Sequence, residues 1–271
     1  MNLYRLILNA PADGAWNMAV DEAILEAVGR GNSLPTMRLY AWRPACLSLG
    51  YSQSIGDVDQ SRLKDSGWGL VRRMTGGRAI LHVDELTYAV IAPNYEPLVA
   101  GSLLESYYRI AQGLIKALHI LNLPVEINDY IPGLNSNASG PVCFEIPSAY
   151  EITIHGKKLI GSAQARRKQG VLQHGSLPLF GDLGRIMKVL NFINEAERQD
   201  AIERLLDLAT TVEIELNKNV TWETAAQAFI EAFTEELELK IEPGELSKEE
   251  NELAQELVET KYSQLGWISR V

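Results

Sequence analysis

The run NMAVDEAILEAV, Asn17 to Val28, sets Met18, Ala19, Ile24, Leu25 and Val28 on one side of a helical wheel, which predicts an amphipathic helix. Short runs of strand character follow: MRLYAW, CLSLGY, GLVRRM, AILH and LTYAVIAP. Ser102 then opens SLLE, whose Glu105 completes a capping box. Leu103, Leu104, Tyr107, Ile110, Ala111, Leu114 and Leu118 recur at helical spacing behind it, and Pro124 bounds that helix. Beyond the loop-like stretch PGLNSNASGP, the alternating runs EITI and KKLIGSAQ flank His155-Gly156 and predict a β-hairpin. Its pairing puts Lys158 opposite Thr153, on one face with Ile160 and Ser162, and sends Lys157 to the other face. The last third reads as helical, with Thr221 capping TWETAAQAFIEAFTEEL and a second capping box, Ser247 with Glu250, before ENELAQELVE. Strands and helices without strict βαβ alternation give an α+β (mixed α/β) fold around a mostly antiparallel sheet.

Composition narrows the class. Of 271 residues, 46% are hydrophobic and 22% charged, enough apolar surface to build a core and offset ordering entropy. The formal net charge is −10, but it is unevenly spread. Between Glu195 and Glu259 there are 19 acidic and 5 basic residues, so the acidity belongs to the C-terminal region and the remainder is slightly basic. Arg72, Arg73 and Arg78 form one basic group, and Lys157, Lys158, Arg166, Arg167 and Lys168 another. A pI near 5.0 and the lack of neighbouring aromatics argue against a nucleic-acid partner. An acidic protein or an anionic small molecule suits these groups better, and a solvated face is the plain alternative. No run of about 18 apolar residues predicts a membrane span, and MNLYRLILNAPADGAWN makes a poor signal peptide, so the expected location is the cytoplasm. Two cysteines, Cys46 and Cys143, suffice neither for a zinc cluster nor for a disulfide framework.

Two segments carry candidate chemistry. In RRMTGGRAILHVDELTY, Gly76 and Gly77 let the backbone approach a ligand, while Arg72, Arg73 and Arg78 offer anion-binding forks; a turn with incidental arginines has the same composition. His82 in that segment is the kind of histidine more often found satisfied in a core than at work in a reaction. In the second segment, Cys143 follows a loop rather than a periodic apolar run, and Lys158 is a candidate cation to lower its pKa. Packing is the commoner fate of a lone cysteine, and it is the reading for Cys46 within CLSLGY. Gly161-Ser162-Ala163 and His174-Gly175 are small-residue sites at strand ends.

Together these segments resemble the superfamily of lipoate and biotin protein ligases and octanoyltransferases, from NMAVDEAI to KYSQLGW. RRMTGGRAILHVDELTY is similar to its acyl-binding loop, implying substrate contacts from Arg72, Arg73, Thr75, Gly76, Gly77, Arg78 and His82. GKKLIGSAQ and LQHGSL are similar to its lysine-bearing hairpin and following strand, implying a catalytic Lys158 and contacts from Gly161, Ser162, Ala163, Gln173, His174 and Gly175. Within the superfamily, CFEIPS puts Cys143 where octanoyltransferases of the LipM type carry their nucleophile. The resemblance implies a single catalytic domain over 1–271, with 195–271 an acidic helical part, and neither metal nor bound cofactor. It implies octanoyl transfer from acyl carrier protein through a Cys143 thioester to a lysine of the glycine cleavage H protein or another lipoyl domain, with no nucleic-acid or membrane partner. Amidotransfer between lipoyl-bearing proteins and ATP-dependent lipoate ligation are the alternatives. Lys158 is expected to lower the thiol pKa or to hold the oxyanion. Arg166, Arg167 and Lys168 are expected to form a docking rim for acidic carriers. His174 is given no role as a base.

Overall fold

A computed structural model describes residues 2–128, 141–142 and 151–271. In chain order the elements are β1 (Asn2–Leu8), α1 (Gly14–Gly29), β2 (Thr36–Tyr40), β3 (Cys46–Leu49), α2 (Gln60–Asp65), β4 (Gly69–Arg72), β5 (Ile80–His82), β6 (Glu85–Ala92) and α3 (Leu103–Ile120). There follow β7 (Glu126–Asn128), β8 (Glu151–Ile154), β9 (Lys157–Lys158), β10 (Gly161–Arg166), β11 (Val171–Pro178), α4 (Glu195–Leu208), α5 (Val212–Leu216), α6 (Trp222–Glu235), β12 (Leu239–Pro243), α7 (Lys248–Leu257) and α8 (Leu265–Ile268). The main sheet runs β10-β11-β6-β2-β1-β12, with β1 parallel to both its neighbours and the other pairings antiparallel. Two three-stranded sheets, β4-β3-β5 and β7-β8-β9, complete a mixed α/β architecture.

The central strand β6 is buried on both faces, which is why LTYAVIA reads as one apolar run. Its alternation splits the core. Tyr88 and Val90 face the side that also buries Phe229 and Phe233 of α6 and Ile110 and Leu114 of α3. Ala89 and Ile91 face Met18, Ile24 and Leu25 of α1. The helix α1 is not amphipathic as its spacing suggests: Asn17, Val20, Asp21 and Ala23 are buried as well, because Asn17 and Asp21 turn onto Arg38 of β2 and α7 also packs against the helix. Both capping boxes form, Ser102 with Glu105 and Ser247 with Glu250. Leu103 and Leu104 nevertheless lie exposed in the first turn of α3.

The hairpin has its expected register, Thr153 opposite Lys158, and its turn residues take positive φ at His155 (50°) and Gly156 (79°). The second run does not continue as one strand. β9 stops at Lys158 and the chain crosses into the main sheet at Gly161, so Ile160 and Ser162 do not share a strand face with Lys158. The last third is also not wholly helical, since β12 pairs with β1 as an edge strand. Among the described residues, no helix is long and apolar enough to cross a membrane.

Candidate active site

The loop from Arg73 to Ala79 joins β4 to β5, and the two arginines where it begins, Arg72 closing β4 and Arg73 opening the loop, act as internal clamps. Arg72, fully buried, donates from Nε and Nη2 to the Ile268 carbonyl (2.9 and 2.6 Å) and from Nη1 to the carbonyls of Gly50 (2.7 Å) and Gln53 (2.6 Å). Trp267 Nε1 returns a bond to the Arg72 carbonyl at 3.0 Å. Arg73 donates to the carbonyl and hydroxyl of Ser48 and to the carbonyls of Gly76 and Arg78. The Arg72 donors expected to fork an anion are therefore spent on backbone carbonyls, and Arg73 braces the ends of the Gly-Gly turn itself. Gly76 and Gly77 lie exposed and Arg78 is half-buried. Gly77 has φ +90°, and a Cβ on Gly50 would fall 1.9 Å from the Gly77 carbonyl oxygen, so glycine is required where these segments cross. On the other side of the turn, Ala79 N donates to the Pro141 carbonyl at 3.0 Å and Ala79 bridges Val142. Cys143 itself lies outside the described residues.

Below the loop is a narrow apolar cavity lined by Met18, Trp42, His82, Gly161, Ala163 and His174, among others. Strand alternation decides which candidates reach it. Ala163 pairs with His174 across β10 and β11 and both face the cavity. Ser162 and Gln173 face the opposite side, where Ser162 Oγ and Gln173 Nε2 lie 2.7 and 3.0 Å from the Tyr88 hydroxyl. Gly175 cannot carry a side chain: a Cβ would fall 2.5 Å from the Tyr88 ring and 2.8 Å from the Gly161 carbonyl oxygen.

Each cavity histidine sits in a buried hydrogen-bonded chain. His174 Nδ1 lies 3.1 Å from Asp21 Oδ2, and Nε2 lies 2.7 Å from Thr75 Oγ1. Asp21 also receives Arg38 at 2.7 Å and the Tyr40 hydroxyl at 3.0 Å. Burial holds His174 below the ordinary imidazole range against the opposing pull of Asp21. Burial alone would raise the Asp21 carboxyl, but Arg38 and His174 bring it below its usual value. His82 is held between Glu85 (Nδ1, 2.8 Å) and the Ser48 hydroxyl (Nε2, 2.6 Å) and stacks on Trp42 at 4.0 Å. Asp21, Arg38, Ser48 and Glu85 are absent from the sequence-derived candidates. The only hint in the sequence is that each is a polar residue within a largely apolar run.

Lys158 is buried and ion-paired with Glu151 at 2.6 Å. That partner was readable, since Glu151 lies two residues from Thr153 and so on the same hairpin face. Lys157 instead reaches the surface carbonyl of Leu206 at 2.6 Å. Cys46 is buried in the core, and burial first, with Asp13 and Glu85 adding, pushes its thiol well above the ordinary range, as suits a packing role.

Comparison with known proteins agrees with this architecture. The lipoyl protein ligase A/B catalytic domain matches residues 13–234, and the chain belongs to that family. An octanoyltransferase LipM of Moorella thermoacetica is 40% identical over 268 residues, covering 98% of each chain. Another, from Brevibacillus brevis, is 38% identical over 276 residues and covers both chains completely. Among solved structures, a bipartite lipoate protein ligase from Thermoplasma acidophilum superposes with a TM-score of 0.82 at 24% identity, covering 99% of this chain and 97% of that one. A putative lipoate protein ligase from the same organism, with bound lipoic acid, gives 0.77 at 26% identity and covers 98% of this chain and 99% of that one.

Proposed function

We propose that the chain moves an octanoyl group from acyl carrier protein, through a thioester on Cys143, to a lysine of the glycine cleavage H protein. The coarser statement holds independently of that route: the chain is an octanoyltransferase of lipoate biosynthesis, similar along its whole length to curated octanoyltransferases. The observation that supports Cys143 is the backbone bridge between Ala79 and Val142, because it sets the residue before the thiol beside the Gly-Gly loop. Exchange between thioesters is close to isoenergetic, so the enzyme loses little by pausing as an acyl-enzyme, and amide formation makes the second half downhill. A thiol that must stay reduced accords with a cytoplasmic setting. We read 1–271 as one catalytic unit, since β12, from the acidic stretch, completes the main sheet.

The test uses apo H protein. Octanoyl acyl carrier protein alone is expected to octanoylate it without nucleotide, whereas lipoate with ATP and magnesium is expected to be a poor substrate. Efficient lipoylation only in the second condition would overturn the assignment in favour of a ligase.

The docking rim differs from the sequence expectation. Arg166 is committed inside the fold, donating to the carbonyls of Val99 (3.1 Å) and Gly101 (2.9 Å) in the segment that leads into α3. Arg167 and Lys168 are exposed, and Arg270 joins them. The guanidiniums of Arg167 and Arg270 lie 5.6 and 3.9 Å from the Tyr51 ring, and Tyr51 N donates to the Thr75 carbonyl in the Gly-Gly loop. Reversing the charge of Arg167, Lys168 and Arg270 together is expected to raise the KM for the carrier and to flatten its salt dependence. Reaction with a small octanoyl thioester should be spared, because screening acts on the long-range field. An unchanged carrier KM would move docking to another face.

A further inference from the structure

Forming an amide from a thioester leaves a proton to be placed. The amine nitrogen bonds to the acyl carbon, the C–S bond breaks with its electron pair leaving on sulfur, and the nitrogen must shed a proton. Lys158 is poorly placed to take it, being an ammonium paired with Glu151. Two imidazoles line the cavity. The His82 chain ends on the Ser48 hydroxyl, which already accepts from the Arg73 guanidinium, and a hydroxyl beside a fixed cation is a poor receiver of a proton.

We propose that Thr75, His174 and Asp21 form the relay that receives the proton of the acceptor amine. The hydrogen-bond pattern sets its direction. The Asp21 carboxylate accepts from His174 Nδ1, so that nitrogen carries the imidazole proton and Nε2 presents a lone pair. Thr75 Oγ1, 2.7 Å away, therefore donates its hydrogen inward to Nε2 and keeps its own lone pairs for a donor arriving from the loop side. Thr75 is itself buried, and it is the residue immediately before the exposed Gly76-Gly77 pair, the side from which a donor would reach it. In the step, the adduct nitrogen passes its proton to Thr75 Oγ1 as the hydroxyl hydrogen moves to His174 Nε2. The imidazolium so formed faces the Asp21 carboxylate and later returns its proton to solvent. Asp21 is a positioning residue, held from β2 by Arg38 at 2.7 Å and Tyr40 at 3.0 Å. The other charged or titratable groups felt at His174 are Arg73, at the start of the loop, and His82 on β5, and with burial they keep the imidazole neutral and able to accept.

The inference rests on the reading that an amine attacks an acyl thioester at this site, and not on which thiol holds the acyl group. Its test is single-turnover octanoylation of apo H protein by the wild type and by Thr75→Val, Thr75→Ser and His174→Gln, with acyl loading followed separately by intact mass. The near-isosteric Thr75→Val cuts the relay while leaving His174 and Asp21 in place. Transfer by this variant is expected to fall about 10²–10⁴-fold, the usual contribution of general-base catalysis, and far more than loading falls. Thr75→Ser is expected to recover it. In the wild type, transfer should decline as pH drops below the ordinary imidazole range, and that inflection should vanish in Thr75→Val. Wild-type transfer by Thr75→Val, or an equal fall in loading and transfer, overturns the relay. If the wild type never loads octanoyl, the thioester reading fails by itself, and the ratio of Thr75→Val to wild-type transfer from octanoyl acyl carrier protein still decides the relay.

Discussion

Cys143→Ala is expected to lose both the octanoyl mass adduct and the transfer reaction, by on the order of 10⁴–10⁶ in rate, as when a covalent nucleophile is removed from other acyl-transfer enzymes. The control is Cys46→Ala. Cys46 is buried in the core on the α1 side of the sheet, where a Cβ on Gly14 would fall 2.4 Å from its sulfur, and its thiol is held far from ionising. That variant is expected to pay in thermal stability and to keep both the adduct and the transfer. Intact mass after mixing with octanoyl acyl carrier protein separates the two cysteines in one measurement. An adduct that survives Cys143→Ala, or full transfer by that variant, removes the proposed nucleophile.

The second large effect is expected at Lys158. Loss of an oxyanion-type donor costs about 10²–10³ in rate, and Lys158→Ala should lower loading and transfer together by that amount. Lys157→Ala should stay near wild type, because hairpin alternation sends its ammonium to the surface carbonyl of Leu206. The ion pair complicates a single substitution. Removing one partner of a buried pair costs on the order of 3–5 kcal/mol, trimmed here because the Glu151 side chain keeps 15% of its exposure. The double variant Lys158→Met with Glu151→Gln removes the stranded charge. It is expected to regain thermal stability and remain slow. Recovery of activity along with stability would make Lys158 a structural residue only.

Much of the local structure was legible because it is set by neighbours in sequence. The capping boxes of Ser102 and Ser247 need only a residue and its third successor, and the hairpin turn at His155-Gly156 needs two residues tolerant of positive φ. The edge strand β12 escaped notice because it is short, its Lys240 is exposed, and it lies between helices. β1 escaped because a single apolar run at the start of the chain gives no pairing partner. Ser162 and Gln173 belong to a middle case. Their alternation with Ala163 and His174 was readable, but which face holds the cavity was not.

By itself the sequence determined the helices capped by Ser102, Thr221 and Ser247, the strands flanking the Gly-Gly loop, the hairpin register that opposes Lys158 to Thr153, and a family likeness carried by RRMTGG and GKKLIGSAQ. Only the tertiary structure decided what Arg72 and His174 do, since their partners are remote along the chain, whereas Lys158 finds Glu151 within its own hairpin. Arg72 spends its guanidinium on a carbonyl 196 residues away, and His174 meets Asp21 across 153 residues and Thr75 across 99. A buried polar group must find a partner wherever the fold brings one. No local pattern encodes which distant carbonyl, hydroxyl or carboxylate that will be.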